Sequence, residues 1–514
     1  MPRRSGWRGS SAAALALVLV AGACPNDPAG RPRVERPSPR GTIRLAYPDV
    51  PPSLNPVTED SPATADILRA VLPTFHLVEP DLDYRPSLLA AEPEVRGRGD
   101  RMMVRFRIRA GATWSDGDPI GVDDVAFTWK VMSDPELDVA RPEGFEHVVD
   151  VVEESSRVGT LILSPPLRTW RELFSAGRFV LPSHIAVGPG SVEDWDRGPP
   201  VGAGPFTLGR AVPGRSVTLR ANPAFFGAAP LAQRIEVAFV PDPTTAVQLL
   251  RSGLVDAVAP MLGISWGRRL AALPGVETSS AFGPDLVHLV IEAGGVPRTQ
   301  DRRLIADAVD RSRFVEAVVG GEGRMADSVL APEQTGADPA WAGFGRGGPS
   351  GRETPESSSG RELSLAYVRG ELLDIAARFV QGELRAVGVQ VELVPLESDV
   401  FHGLFVPRRR YDLALWEARA GPAPDISAWF TDPDAGQPLT ALEDTRLPGL
   451  EEAWDRRGDQ GALAAAQRRL ARMASVLPLF QPRVTMAWRG GVRGPRANPT
   501  VEGPLWNAWE WSES

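Results

Sequence analysis

A chain of 514 residues with a single cysteine, Cys24, can form no internal disulfide and no cysteine-built metal site, so its fold must be held by apolar burial. At this length the core should divide into two or more domains. The formal charge is −9, Lys130 is the only lysine and the arginines are scattered along the sequence, which excludes a basic patch suited to a phosphate backbone and, with it, a nucleic-acid partner.

The amino terminus decides the compartment. Arg3, Arg4 and Arg8 precede an apolar run from Ala12 to Ala23 that closes on small residues. This is the order of a secretory signal, and the run is too short to span a bilayer. Residues 1–23 are therefore read as a signal peptide, and the flanks of Arg3-Arg4 do not support twin-arginine export. Val20-Ala21-Gly22-Ala23 before Cys24 resembles a bacterial lipobox, with Ala21 where leucine is more usual. Cleavage there would expose Cys24 for acylation, each buried acyl methylene contributing about 0.8 kcal/mol of membrane affinity. Residues 24–40, rich in Pro and Arg, read as the linker from lipid to domain. The expected location is the outer face of the cell membrane or the periplasmic space. No later segment resembles a transmembrane helix.

Beyond the linker, strand and helix signals alternate. Val104, Phe106 and Ile108 alternate with Arg105 and Arg107, the period of a half-buried strand. Ser115 to Asp118 supplies a turn, and Val122, Val125, Trp129 and Met132 then share one helical face, with Asp123 and Asp124 in its first turn. Val217 and Leu219 mark a strand; Ala246 to Ser252 is a helix closed by Gly253; Val255 to Val258 is a strand. In the second half, Leu363 to Tyr367 is a strand, Leu372 to Val387 a helix ended by Gly388, Val389 to Val394 a strand, and Tyr411 to Trp416 another. This order predicts an α/β fold with a mostly parallel sheet, whose ligand site lies beyond the carboxyl ends of the strands, near Trp416 to Arg419. Residues 343–360, rich in Gly and Ser, read as a disordered surface insertion, and Ser512 to Ser514 should fray.

Several segments carry a family resemblance. Phe106-Arg107-Ile108-Arg109-Ala110-Gly111-Ala112-Thr113-Trp114-Ser115-Asp116-Gly117-Asp118-Pro119-Ile120, continuing to Asp123-Asp124-Val125-Ala126-Phe127-Thr128-Trp129, resembles the signature of family 5 extracellular solute-binding proteins. Leu181 to Ile185, Val201 to Phe206 with Arg220 to Phe226, Ile305 to Arg311 and Tyr411 to Trp416 match further segments in order, and Leu54-Asn55-Pro56 also fits. The likeness covers nearly all of the chain after the linker.

This resemblance implies a two-lobed, periplasmic-binding-protein-like clamshell with an extra domain in the first lobe. The first lobe would comprise residues 41–75, 183–283 and 484–514, the inserted domain 76–182, and the second lobe 284–483. It implies a monomeric receptor that captures a small ligand, peptide by family default with another organic solute or a metal chelate as alternatives, and delivers it to the permease of an ATP-driven importer, with no catalytic residue, cofactor or metal site of its own. By the same resemblance the ligand would lie against Ala63, Thr64 and Ala65 and against Leu415, Trp416, Glu417, Ala418 and Arg419. Relatives place a carboxylate at the position of Arg419 to meet a peptide amino terminus. The reversal to arginine there would favour an anionic ligand, unless Glu417 or Asp425 supplies the acid.

Other constellations are weaker. Gly263-Ile264-Ser265-Trp266-Gly267 has the spacing of a serine-hydrolase elbow, which would need His288 or His402 poised against Ser265. The histidines never fall at a metal-ligand spacing. Gly202-Ala203-Gly204 lacks the third glycine of a dinucleotide loop. Trp506, Trp509 and Trp511 read as aromatics packing back on the first lobe rather than a ligand platform. A receptor turned to sensing or scaffolding, and a secreted hydrolase using Ser265, are the two alternatives to a transport receptor.

Overall fold

The computed structural model describes residues 41–98, 100–186, 189–261, 265–345, 361–418, 420–429, 440 and 442–513. The signal peptide, Cys24, the linker, Gly263, Ile264, Arg419 and residues 346–360 lie outside them. Strand β1 (Thr42–Tyr47) and helix α1 (Pro62–Arg69) are followed by a short hairpin, β2 (His76–Val78) and β3 (Tyr84–Pro86). Next come β4 (Glu94–Arg98), β5 (Arg101–Arg107), α2 (Val122–Met132), β6 (Val148–Ser155) and β7 (Val158–Leu163), whose strands form a separate antiparallel sheet in the order β4-β5-β7-β6. The chain returns through β8 (Phe206–Val212), β9 (Ser216–Ala221), β10 (Arg234–Phe239), α3 (Pro243–Ser252), β11 (Ala257–Val258), α4 (Trp266–Ala271) and β12 (Val276–Phe282).

The second half comprises β13 (Leu286–Ile291), α5 (Thr299–Ala308), α6 (Arg311–Val319), β14 (Gly323–Met325), β15 (Leu363–Val368), α7 (Glu371–Ala386), β16 (Val391–Leu396), the short turn α8 (Ser398–Val400), β17 (Leu413–Ala418), α9 (Leu447–Arg457) and α10 (Gln460–Met473). The long strand β18 (Val476–Arg489) leads back to the first half, where β19 (Val492–Arg493) and β20 (Ser512–Glu513) close the chain.

Two separate apolar cores divide this architecture. One gathers Ile43, Leu45, Ile67, Phe106, Trp114, Phe206, Val237, Met486 and Trp511. The other gathers Leu289, Phe314, Trp341, Leu365, Ala376, Leu413, Leu470 and Leu477. Strand β18 serves both. Its first part, Val476 to Phe480, pairs with β13, and its last part, Arg483 to Arg489, pairs with β12. The chain thus passes between the cores twice, at Gly283-Pro284 and at Pro482-Arg483.

The local reasons for these elements are visible. Asp242 caps α3 by accepting from Thr245 N at 2.8 Å, Pro243 sets the first turn, and Gly253 ends it with a φ of 74° that favours glycine. Helix α2 begins at Val122 as expected, and Asp124 in its first turn accepts from Gly121 N at 2.9 Å, Trp114 Nε1 at 3.2 Å and Ser183 N at 2.8 Å. Asp124 therefore ties together two of the segments that carry the family resemblance. Asn222 joins two more, donating to the Gly204 carbonyl at 2.9 Å and accepting from Ala224 N at 3.0 Å.

Four expectations are corrected. The sheet is mixed: β15 runs parallel to β16 and β17, and β1 parallel to β10 and β11, but β13 and β18 are antiparallel to their neighbours because the chain re-crosses between the cores. Residues 343–345 belong to the fold, since Phe344 is buried in the second core and its carbonyl accepts from Arg311 Nη2 at 3.0 Å. Ser512 and Glu513 are held by pairing with Val492 and Arg493, and Glu513 accepts from Gly41 N at 3.0 Å. Arginines scattered in sequence are also gathered in space, on a sheet face described below.

Arg311 shows how the second half is fastened. Its guanidinium is fully buried and donates to the carbonyls of Pro478 at 3.1 Å, Trp341 at 2.7 Å, Phe344 at 3.0 Å and Ala326, and to Asp327 Oδ1 at 3.0 Å. One side chain thus binds α6, the Trp341–Phe344 turn and β18. Replacing it by methionine strands these acceptors without partners. Arg311→Met should lower the urea midpoint by an amount equivalent to about 3–5 kcal/mol; a shift below about 1 kcal/mol would refute the fastening role.

Candidate functional site

A cavity of about 360 Å³ opens between the two cores, beside both crossings. Tyr47 and Asp49 reach it from the end of β1, Asp66 from α1, Asp285 from the start of β13, Glu417 from the end of β17, and Arg483 from β18. It lies at the carboxyl ends of the parallel strands β1 and β17, where open α/β sheets leave room for a ligand. The segment Asn498 to Pro504 lines its floor.

That floor is braced by buried polar contacts. Tyr47 Oη donates to Asp66 Oδ2 at 2.5 Å, and Gly503 lies so near that a Cβ there would overlap the Asp66 carboxylate. Its φ of 63° is a second reason for glycine. One turn along α1, Arg69 meets Glu502 at 2.5 Å with both side chains almost wholly buried. Burial pushes the Glu502 carboxyl up and the Arg69 guanidinium down, while each pulls the other back toward its charged form. Asn498 donates to the Val78 carbonyl at 2.9 Å and Glu502 accepts from Val78 N at 3.2 Å, so the segment is clamped to β2.

The walls are acidic: four carboxylates, of Asp49, Asp66, Asp285 and Glu417, face one guanidinium, of Arg483. Asp285 accepts from Ala420 N at 2.9 Å, which fixes the turn after β17. Elsewhere, contacts join residues 76–182 to the second half. Ala423 N lies 3.4 Å from Glu172 Oε1, Tyr84 Oη donates to the same oxygen at 3.2 Å, and Arg168 sits 4.6 Å over the Trp454 ring. Burial raises the Glu172 carboxyl.

Of the residues expected at a ligand, Glu417 lies on the cavity wall. Ala63 and Thr64 are buried in α1, Thr64 donating to the Ser53 carbonyl at 2.5 Å, and Ala65 is half-buried beside Asp66. Leu415 is buried in the second core, and half-buried Trp416 packs 5.7 Å from Phe401. Ala418 ends β17, and Arg419 falls outside the described residues. Asp425 is exposed and accepts from Ser427 N at 2.8 Å, so of the two alternative acids it is Glu417 that meets the cavity. Tyr47, Asp49, Asp66, Asp285 and Arg483 were not legible beforehand, because they come from elements far apart in sequence and carry no motif.

Of the serine-elbow residues, Gly263 and Ile264 lie outside the described residues. Ser265 opens α4 with a φ of 52° and its hydroxyl accepts from Arg268 Nη2. His288 is fully buried in β13, 4.5 Å from the Trp429 ring. Of the tryptophans at the carboxyl end, Trp506 and Trp511 are buried, Trp511 Nε1 donating to Asn507 Oδ1 at 3.1 Å, whereas Trp509 is half-buried.

Comparison with known proteins decides the family. The model of the bacterial extracellular solute-binding proteins, family 5 (middle region) matches residues 86–437, more than half of the chain. The chain belongs to that family. The oligopeptide-binding protein OppA of Mycobacterium tuberculosis is 25% identical over 476 residues, spanning 84% of this chain and 75% of OppA. Protein XP55 of Streptomyces lividans is 27% identical over 427 residues, 76% of this chain and 74% of its own. Among solved structures, the periplasmic EDTA-binding protein EppA superposes with a TM-score of 0.81 at 21% identity, covering 92% of this chain and 97% of EppA. The two cores are therefore the two lobes of a periplasmic-binding-protein fold, and the cavity lies in the cleft between them. Among the described residues no helix is long and apolar enough to cross a membrane.

Desolvation holds the His288 imidazole neutral, its pKa pushed down to about 3 from 6.5. The unfolded chain therefore binds a proton that the folded chain refuses between these values. Stability contributed by His288 is complete above pH 6.5 and is lost as pH falls toward 3, at roughly 1.4 kcal/mol per unit. His288→Leu should flatten the acid limb of the stability curve measured by denaturant titration. An unchanged slope would show that His288 is protonated alike in both states.

Proposed function

We propose that this chain is the lipid-anchored ligand receptor of an ATP-driven importer, and that its cleft takes a small ligand bearing an ammonium group, a short peptide being the class that fits best. The observation that carries the reading is the acid lining of the cleft, contributed by both lobes: Asp49 and Asp66 from the first, Asp285 and Glu417 from the second. Facing carboxylates repel when the cleft closes empty. A cation between them removes that repulsion, so a ligand ammonium favours the closed state that a permease would receive. The cavity volume lies within the range of small-ligand sites. The oligopeptide named for the OppA relative supports peptide as the class. Arg483, in the lining of the same cavity, offers a partner for a ligand carboxylate. The described walls are acidic, and Arg419, from which an anionic ligand was expected, lies outside the described residues.

Calorimetric titration of the purified chain with di- and tripeptides tests the reading. N-acetylation of the peptide should weaken binding at least tenfold, about 1.4 kcal/mol. Asp285→Asn and Glu417→Gln should each cost about 1.5–3 kcal/mol, the range for a hydrogen bond to a charged group. Equal affinity for free and acetylated peptides would sink the ammonium reading.

The anchor is proposed at Cys24, supported by the charged, apolar and small residues that precede it. The chain purified from its own cell envelope should partition into the detergent phase on Triton X-114 separation, and Cys24→Ser should move it to the aqueous phase. Aqueous partition of the native chain would remove the anchor.

A further inference from the structure

The first lobe's sheet has a face that is only partly covered. Helices α3 and α4 pack Ala246, Leu250, Trp266 and Leu270 against Ala46, Val258 and Ala487. The inner face of β9 and β10 is buried through Val217, Leu219, Ile235 and Val237. Alternate residues of β1, β8, β9 and β10 point outward beside the two helices, around a shallow groove of about 600 Å³. Five arginines line it, Arg44, Arg210, Arg215, Arg220 and Arg234, with Glu236 as the one carboxylate in its lining.

Folding does not account for this concentration of charge. Arg220 and Arg234 stand directly opposite each other across the antiparallel β9–β10 pair, a placement that disfavours the sheet. Arg44 lies 4.0 Å from Asp256 and Arg234 lies 3.6 Å from Glu236. Among the described residues, Arg210, Arg215 and Arg220 have no carboxylate within ion-pair distance, and all three are exposed. In a chain of net charge −9, a face of this sign stands apart and would attract an anionic partner.

We propose that this arginine face rests on a surface of anionic phospholipid headgroups. The sign of the face and one projecting side chain select that occupant. Leu254, which follows the glycine that ends α3, lines the same groove and is 61% exposed. A projecting leucine among arginines suits the boundary between headgroups and acyl chains, where a soluble anion would leave it in water. The chain also enters the fold here: Gly41 precedes β1, and its carbonyl accepts from Arg234 N at 3.0 Å. Residues 25–40, between Cys24 and that point, span at most roughly 55 Å when fully extended. The tether argument rests on the anchor proposed above; the charge and the leucine do not.

The test uses the compact unit Arg40–Ser514, which lacks Cys24, so that acylation plays no part. Sedimentation with vesicles of phosphatidylcholine alone and of phosphatidylcholine with phosphatidylglycerol should show binding to the anionic vesicles only, weakening as salt rises. The triple variant Arg210→Glu, Arg215→Glu, Arg220→Glu should bind at least tenfold more weakly, the corresponding triple lysine variant should retain binding, and Leu254→Ser should weaken it without altering the salt dependence. Each variant should keep the wild-type unfolding midpoint and the wild-type affinity for a cleft peptide. Equal sedimentation with both vesicle types, or with wild-type and reversed chains, overturns the proposal. Full displacement by millimolar inorganic phosphate would also overturn it, since the groove would then be a small-anion site. None of these outcomes bears on the cleft, whose ligand is measured separately.

Discussion

Everything in this molecule hangs on one strand that belongs to two cores. β18 lends Leu477, Leu479 and Phe480 to one lobe, and Met486 and Trp488 to the other. Neither lobe can complete its sheet without it, so the distance between the lobes is set by a few residues of extended chain. The cavity sits beside that span because it is where neither core reaches. Asp49, Asp285 and Glu417 keep some exposure there and need not be desolvated at the cost that burial in either core would impose.

The segments that carry the family resemblance build this frame more than they build the site. Asp124 gathers Trp114, Gly121 and Ser183; Asn222 gathers Gly204 and Ala224; Arg311 gathers carbonyls from four places in the second lobe. Asp412 likewise accepts from Ser364 N at 2.9 Å and from Arg361, locking β15 to β17. Each hub satisfies backbone groups that would otherwise be buried without partners, a requirement that does not change with the ligand. The cavity walls answer to whatever is bound, and they are drawn from strand ends and loops with little local signature.

This division explains what could be read in advance. The helices at Val122, Ala246 and Leu372 and the strands at Val104, Leu363 and Tyr411 followed from periodicity and capping, because those signals are local. Sheet direction did not, because the antiparallel course of β18 depends on where the chain has been some 190 residues earlier, at Leu286. Glu417 was named before the fold was known, whereas Asp285 and Asp66 meet it only in three dimensions. The arginines of the first sheet are the sharpest case: scattered along the chain, they converge once β1, β8, β9 and β10 are laid side by side.

The crossing segment of β18 also contains Pro482, and Pro478 lies just before it. Neither has an N–H to give to a ladder, and the crossing is held by its neighbours instead: Arg483 N donates to the Glu322 carbonyl at 3.2 Å, and Gln481 Nε2 donates to Glu333 Oε2 at 2.8 Å and to the Gly283 carbonyl. The parallel crossing at Gly283 is tight: a Cβ there would run into the Pro499 carbonyl. Both crossings are therefore confined, and the Gln481–Gly283 contact ties one to the other. Two spans stapled together in this way resist twist, which keeps the two lobes in one alignment.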